Sequence, residues 1–292
     1  MAKVATGNEE ALEAWNGVLF DRFLEYKHLI VEGLAKHGEQ AILRAPPREG
    51  DRVLDIGCGF GDATQRLARI VGPTGSALGV DIAPRFIDFS RADALRAGIE
   101  NARFAVHDVQ SEPFGETFDY AFSRFGTMFF AAPVAALRNV ARALVPGGTL
   151  CMVVWRRKID NPWMYRAEEI VKPHLDGAQE ETDEAHCGPG PFSMASADTT
   201  SQILIGAGFT DIAFHRCDLP YLVGRDVEEA VEFNLALGPA AEAVRFAPTR
   251  AAELRAQLVA ELGAALGEFV TADGVVAGSS TWVVTARAES AA

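Results

Sequence analysis

The sequence predicts an α/β fold in which helices cover a doubly wound, mostly parallel sheet of seven strands. Two observations support this prediction. Between residues 50 and 155, short apolar segments alternate with segments of helical periodicity, as in successive β-α-β units. The first apolar segment runs into the glycine-rich stretch 55–61, which is typical of a tight turn between a strand and a helix.

The glycine-rich turn has the pattern Asp-x-Gly-x-Gly-x-Gly, with Asp55, Gly57, Gly59 and Gly61 at the fixed positions. Glycines let the backbone turn sharply and let a ligand approach the main chain, and the helix that follows presents unpaired N–H groups. This pattern predicts a nucleotide-cofactor site. A carboxylate at Asp55 would repel a phosphate group and attract an ammonium or sulfonium group. The alternative interpretation is an ordinary strand-turn-helix unit of an α/β domain.

Strands and helices follow in order around this turn. Each predicted strand is a short apolar run bounded by turn residues, and each predicted helix carries apolar residues at helical spacing. The strands are predicted at Arg52 to Ile56, Ser76 to Asp81, Arg103 to Val106, Phe118 to Ser123 and Thr149 to Trp155, and the helices at Asp62 to Val71, Ala83 to Ala97 and Pro133 to Leu144.

Residues 9–44 precede the first strand and also carry apolar side chains at helical spacing. We predict two helices there, with a break near Gly38. Because these helices can cover the mouth of the cofactor site, Trp15, Phe23 and Tyr26 are candidate lid residues. The alternative is a plain hydrophobic face packed on the sheet.

Acidic residues follow the second and third strands. Asp81 ends the second strand, where an acid facing the glycine turn can accept both ribose hydroxyls of an adenosine. Its alternative role, which is compatible with the first, is the N-cap of the next helix. Asp108 follows the third strand, where its carboxylate can accept the exocyclic amine of adenine while the N–H of Val109 meets a ring nitrogen.

Two insertions extend this core. The first, Arg156 to Ala197, is predicted to be a helix and a long loop that act as a lid. The second lies between a sixth strand, Thr210 to Cys217, and the closing strand, Ser280 to Ala286. Its apolar stripes predict helices that form a cap over the sheet or a dimer interface, at Val227 to Leu237, Ala240 to Phe246 and Thr249 to Phe269.

These boundaries divide the chain into six segments. The predicted segments are an N-terminal helical lid (1–48), a cofactor-binding core (49–155), a lid insertion (156–197), a continuation of the core (198–218), a helical cap inserted between strands six and seven (219–275) and a final core strand with the tail (276–292).

With these elements in order, the sequence resembles the class I S-adenosylmethionine-dependent methyltransferases, in particular the group likened to the ubiquinone and menaquinone biosynthesis methyltransferases. The resemblance rests on Asp55-x-Gly57-x-Gly59, Asp81, Asp108 and the turn 144–148, and covers residues 50–155. It implies the Rossmann-like methyltransferase fold, the cofactor S-adenosyl-L-methionine, and methyl transfer to O, N, S or an activated carbon of a small molecule.

The resemblance also implies roles for single residues. The expected cofactor-binding residues are Asp55, Gly57 and Gly59 at the methionine end, Asp81 at the ribose with Ile82 beside it, Asp108 and Val109 at the adenine, and Ser123 facing the methionine moiety. The loop after the fourth strand, 123–126, lacks the acid-or-Asn, Pro-Pro-aromatic signature of amine-methylating relatives. Methylation of adenine or of glutamine amides is therefore disfavoured.

Composition restricts the partners. The net charge of −13 repels phosphate backbones and anionic membranes, so we expect a small-molecule acceptor, no nucleic acid and no membrane, with a homodimer as an open alternative. Four widely spaced cysteines, without a Cys-x-x-Cys pair, and an N-terminus without a basic and apolar leader predict a cytoplasmic protein. We expect no metal site, since no set of side chains has ligand spacing.

The catalytic residues are unknown from the sequence. A general base is needed only if the acceptor must lose a proton. His174 and His186, in the first insertion, are the weak candidates for it, and the alternative for each is a solvated or capping histidine. Two other functions stay open. One is a nicotinamide-dependent oxidoreductase, for which a Gly-x-Gly-x-x-Gly spacing is expected, and the other is a non-catalytic cofactor-binding protein.

Overall fold

A mostly parallel sheet forms the centre of the protein in the computed structural model, which describes residues 9–175 and 189–289. In chain order, its strands are β1 (Arg52–Ile56), β2 (Ser76–Asp81), β3 (Ala102–Val106), β4 (Phe118–Arg124), β5 (Leu144–Trp155), β6 (Phe209–Gly224), β7 (Val270–Thr271) and β8 (Gly274–Ala288). Their spatial order is β3-β2-β1-β4-β5-β8-β6, and the two-residue β7 pairs with β8 beside this path. The predicted doubly wound α/β class is confirmed.

Helices pack around this sheet. They are α1 (Glu9–Asn16), α2 (Val18–Glu25), α3 (Lys27–Arg44), α4 (Asp62–Val71), α5 (Pro84–Arg96), α6 (Pro133–Ala143), α7 (Pro162–Leu175), α8 (Ala197–Ala207), α9 (Val227–Ala236), α10 (Pro239–Arg245) and α11 (Pro248–Leu266). The last four residues of β1 are all buried, so both faces of the sheet centre are covered. Within the described ranges, no helix combines the length and the apolar character needed to cross a membrane.

The direction in which the chain crosses the sheet reverses between β1 and β4. β1 pairs in parallel with β2 on one side and with β4 on the other, so that Leu54 lies opposite Leu78 and Ala121. In a doubly wound sheet the loops on the two sides of such a point leave toward opposite faces. A crevice therefore opens at the carboxyl ends of β1 and β4.

β6 and β8 are longer than the sequence predicts and project beyond the sheet. The pairing of β5 with β8 ends at Trp155 opposite Thr281, whereas β6 and β8 remain paired as far as Gly224 opposite Val275. β6 is an edge strand, and an edge strand tolerates the proline at position 220. In the sequence, the cap helices α9 to α11 therefore follow the projecting end of β6 and precede that of β8.

The N-terminal helices also differ from the prediction, since the break near Gly38 is wrong. The helices are interrupted around Gly17 and Tyr26 instead, and α3 continues through Gly38. A Cβ at Gly38 would lie 3.1 Å from Cδ of Arg124. The glycine therefore permits a close approach between α3 and the end of β4 and does not end the helix.

Asn161 joins the start of α7 to β8. Its buried side-chain amide accepts a hydrogen bond from the backbone N–H of Ser280 at 2.8 Å and donates to the carbonyl of Ser280 at 3.2 Å. Its own carbonyl accepts from the N–H groups of Met164 and Tyr165 in the first turn of α7. This one residue therefore fixes where α7 begins relative to the projecting strands.

We expect Asn161→Ala to lower the free energy of unfolding by about 1–3 kcal/mol, because both polar backbone groups of Ser280 lose a buried partner. Urea unfolding measures this loss. Gln257→Ala is the matched control, because its exposed amide donates to Glu261 on the same helix, and the expected change is within about 0.5 kcal/mol. Equal unfolding midpoints for the two variants would contradict the anchoring role.

Candidate cofactor and acceptor site

A cavity of about 1150 Å³ lies at the carboxyl ends of β1, β2 and β4. Small-molecule sites usually have volumes of roughly 300–1,000 Å³, so this cavity has room for two ligands. One end is lined by the glycine turn and by acidic residues. The rest is lined mainly by apolar and aromatic side chains of the N-terminal helices, α7 and the cap, among them Trp15, Phe23, Phe129, Trp163, Tyr221 and Phe233.

The glycine turn presents its main chain to the cavity. Gly57 and Gly59 have φ angles of 65° and 53°, which disfavour side chains. A Cβ at Gly57 would lie 3.0 Å from Cα of Gly126, so the turn after β1 packs closely on the loop after β4. A Cβ at Gly59 would meet no atom within 4 Å. The space beside Gly59 is therefore open to a ligand.

Asp81 connects the glycine turn to the end of β2. One carboxylate oxygen accepts a hydrogen bond from the N–H of Gly59 and the other from the N–H of Ala83, both at 3.0 Å. Burial raises the pKa of Asp81, and the backbone N–H groups, including that of Ile82, oppose this rise. The N-cap of α5 is Ala83, so Asp81 does not occupy the N-cap position. A carboxylate has about four acceptor sites, which leaves capacity for ligand hydroxyls.

Asp55 lies in the cavity wall and is almost completely buried. Its carboxylate accepts a hydrogen bond of 2.5 Å from the hydroxyl of Thr64. Burial raises the pKa of Asp55 to about 7, although the Thr64 hydrogen bond and the charge of Arg124 lower it. A ligand cation beside Asp55 would favour the ionised carboxylate.

The loop after β3 forms another part of the wall. Asp108 is buried, and its carboxylate accepts from the N–H of Gln110 at 3.0 Å and from the hydroxyl of Ser111 at 2.6 Å. These hydrogen bonds fix the turn that carries Val109. Asp108, Val109 and Ile82 line the cavity, as do Asp55, Gly57, Gly59 and Asp81.

Ser123, in contrast, is not placed in the cavity wall. It is fully buried, and its hydroxyl donates to the carbonyl of Ile56 at 2.8 Å, which joins β4 to the end of β1. The next residue, Arg124, lines the cavity in its place. Its guanidinium forms a two-point ion pair with Asp62 at 2.8 Å. Sequence reasoning missed Arg124, although a lone arginine directly after an apolar strand was the available signal.

His174, one of the two histidine candidates, is not brought into the cavity. His174 lies in the last turn of α7, with Nε2 2.9 Å from the carboxylate of Glu261 on α11, and it is not a lining residue. In this structure the imidazole of His174 joins α7 to α11. His186 lies outside the described residues. Another histidine, His107, lines the cavity and contacts the carbonyl of Glu112 at 3.0 Å.

The N-terminal helices do cover part of the cavity. Trp15 and Phe23 line it, and the Trp15 ring lies 5.3 Å from Phe23 and 4.9 Å from Phe129. Tyr26 does not line it and packs 5.4 Å from Phe233. Of the three candidate lid residues, Trp15 and Phe23 therefore line the cavity, and their role as a lid stays a prediction. Across the part of the chain that the structure describes, no three His, Cys, Asp or Glu side chains are grouped to hold a metal ion.

Residues 47–197 match the protein family described as "Methyltransferase domain", and this match spans more than half of the chain. The chain belongs to this family. It is a class I S-adenosylmethionine-dependent methyltransferase, similar to the ubiquinone/menaquinone group, and its cofactor is S-adenosyl-L-methionine, as the sequence predicts. The site fits this cofactor, since it offers an open main chain at Gly59 and a buried acid at Asp55 for a cationic ligand.

Two curated relatives illustrate the membership of this methyltransferase in the family. The aklanonic acid methyltransferase DauC of Streptomyces sp. (strain C5) is 34% identical over 126 residues, which are 43% of this chain and 57% of DauC. The ubiquinone/menaquinone biosynthesis C-methyltransferase UbiE of Ectopseudomonas mendocina (strain ymp) is 30% identical over 182 residues, 58% of this chain and 68% of UbiE. The match to DauC thus spans less than two thirds of that relative.

Solved structures share the fold. The [4+2]-cyclase SpnF has a TM-score of 0.52 at 21% identity, with 88% of this chain and 81% of SpnF covered. The YcgJ protein of Bacillus subtilis has a TM-score of 0.52 at 19% identity, with 89% of this chain and 99% of YcgJ covered. At such identities the likeness shows the fold alone, and a fold does not fix the reaction.

We expect Asp81→Ala to lose most of the affinity for S-adenosylhomocysteine. Each hydrogen bond from a ribose hydroxyl to this charged acceptor is worth about 1.5–3 kcal/mol. The variant also loses the hydrogen bond that Asp81 accepts from the N–H of Gly59. Calorimetric titration measures the affinity. Asp88→Ala is the matched control, because the Asp88 side chain is 76% exposed on α5. An unchanged titration of Asp81→Ala would refute the ribose placement.

The raised pKa of Asp55 predicts a pH dependence of stability. The folded protein holds this proton more tightly than the unfolded chain, whose Asp pKa is about 3.9. The resulting stabilisation is complete below that value and is lost as the pH rises through about 7. Between about pH 5 and pH 8, the free energy of unfolding should therefore fall more steeply in the wild type than in Asp55→Asn. If the free energy of unfolding changed with pH equally in the wild type and in Asp55→Asn, this expectation would be contradicted.

Proposed function

We propose that this chain transfers the methyl group of S-adenosyl-L-methionine to a small-molecule acceptor through O, N, S or an activated carbon. The observation that carries the proposal is the continuity of the cavity. The same cavity is lined by the glycine turn and Asp81 and by Trp163 and Phe233. Cofactor and acceptor can therefore meet inside one enclosure.

At the acidic end, the proposed roles follow from charge and geometry. The bound cofactor supplies a methyl group that is activated by a sulfonium. Asp55 would face its ammonium, the main chain at Gly59 would lie along the methionine end, and Asp81 would accept the ribose hydroxyls. The turn held by Asp108 would present Val109 to the adenine. Ser123 would act indirectly, because its hydroxyl bonds β4 to the end of β1.

At the apolar end, the chain would orient the acceptor and exclude water. Trp15 and Phe23 close the cavity from the N-terminal side, and Trp163 and Phe233 close it from α7 and the cap. Positioning of two reactants in this way can supply roughly 7–11 kcal/mol of a barrier. We therefore propose that positioning is the main source of rate enhancement, with no role for His174.

The acceptor class is supported by the relatives and by charge. DauC is named for aklanonic acid and UbiE for ubiquinone and menaquinone biosynthesis, and these names favour a small molecule. The net charge of −13 disfavours nucleic acid. The proposal includes a cytoplasmic location, which the wide spacing of the cysteines supports.

Calorimetry and a methyl-transfer assay test the proposal together. We expect S-adenosylhomocysteine to bind and NAD not to bind. With methyl-labelled S-adenosylmethionine and a small-metabolite extract, label should move into the organic-soluble fraction, and Asp81→Ala should abolish this transfer. Binding of NAD alone would overturn the proposal in favour of an oxidoreductase. Cofactor binding without transfer to any extract would favour a non-catalytic cofactor-binding protein.

A further inference from the structure

Tyr221 lies where the projecting part of β6 forms the cavity wall. It pairs with Ala277 of β8, beyond the last residue of β5 that β8 contacts. The side chain is 2% exposed and lines the cavity. A Cβ at Gly33 of α3 would lie 2.8 Å from Cδ2 of Tyr221, so only a glycine admits the ring at this place.

The ring of Tyr221 is held between aromatic neighbours. It stacks on Trp163 of α7 with a centroid distance of 5.0 Å and an angle of 9°. Phe233 of α9 lies 6.5 Å from Tyr221 and 5.8 Å from Trp163, nearly parallel to both. Three elements therefore fix the orientation of the Tyr221 hydroxyl.

This hydroxyl has no hydrogen-bond partner among residues 9–175 and 189–289. It is also not one of the fully enclosed polar atoms without a partner, which are Thr127 Oγ1, Arg156 Nε and Trp163 Nε1. The hydroxyl therefore keeps some exposed surface, and Tyr221 is one of the residues that line the cavity. Buried polar groups in proteins are almost always paired, so a free hydroxyl in an apolar wall points to a ligand atom.

We propose that Tyr221 orients the acceptor, its hydroxyl donating a hydrogen bond to an oxygen atom of an otherwise apolar acceptor. This inference rests on the proposed function and names a positioning residue for it. Burial raises the pKa of Tyr221, which keeps the hydroxyl protonated and able to donate. An apolar ligand without such an oxygen would leave the hydroxyl unpaired, and sites of this kind discriminate against it.

The test compares two probes that differ in one heavy atom, in the presence of saturating S-adenosylhomocysteine. The carbonyl of 1-tetralone only accepts a hydrogen bond, whereas 1-methylenetetralin has a CH₂ group in place of the oxygen. Calorimetry gives the ratio of their dissociation constants in the wild type and in Tyr221→Phe. We expect the preference for 1-tetralone to fall by about threefold to tenfold in the variant, with unchanged affinity for S-adenosylhomocysteine.

Tyr26→Phe is the matched control, because Tyr26 also packs on Phe233 but does not line the cavity. It should leave the ratio unchanged. A ratio that is the same in Tyr221→Phe and in the wild type, or failure of both probes to bind the wild type, would overturn the inference. If S-adenosylhomocysteine itself did not bind the wild type, the proposed function would fail instead.

A second variant tests the placement of the Tyr221 hydroxyl without removing it. Gly33→Ala retains Tyr221 but places a methyl group against its ring. The displaced hydroxyl should lower the preference for 1-tetralone while the titration with S-adenosylhomocysteine stays unchanged. An unaltered preference in Gly33→Ala would count against the placement. Tyr221→Phe should unfold at no lower temperature than the wild type, because the hydroxyl has no hydrogen-bond partner to lose among the residues that the structure describes.

Discussion

The carboxylate of Asp81 determines the geometry on which the cofactor end of the cavity depends. It accepts hydrogen bonds from the N–H groups of Gly59 and Ala83 at 3.0 Å. These bonds hold the turn after β1 and the loop after β2 at a fixed separation. The parallel register of these strands, with Ile56 opposite Val80, brings the acid to this place. The same contact orients the positive-φ turn so that Gly59 faces open space. One carboxylate thus shapes the wall and remains available to a ligand.

The part of the fold that the sequence predicts is the part with local signals. Between β1 and β5, apolar runs, turn residues and helical spacing place each element to within a few residues. The errors arise where the outcome depends on a distant partner. Gly38 lies within α3 and makes room for Arg124, and β6 passes through Pro220 because topology makes β6 an edge strand. Neither fact can be derived from neighbouring residues.

In the candidate site, too, the sequence predicts what has a local signal and misses what depends on a distant partner. Asp55, Asp81 and Asp108 were predictable because the carboxyl ends of parallel strands share one edge of the sheet. Ser123 was not, because successive strand residues point to opposite sides, and the residue that reaches the cavity is Arg124. The place of His174 depends on which face of α7 meets α11. Tyr221 needed the unpredicted extension of β6 to reach the cavity wall.

The charges at the acidic end explain why a cationic cofactor suits this site. Burial raises the pKa of Asp55, the nearby Asp62 and Asp81 raise it further, and the charge of Arg124 opposes this rise only in part. Buried like charges are unfavourable, so a ligand with an ammonium and a sulfonium relieves a cost that the folded protein already carries. The product S-adenosylhomocysteine has lost the sulfonium charge, and the same carboxylates should therefore attract it less than they attract the cofactor. The arrangement that recruits the methyl donor would in this way also favour release of the spent one.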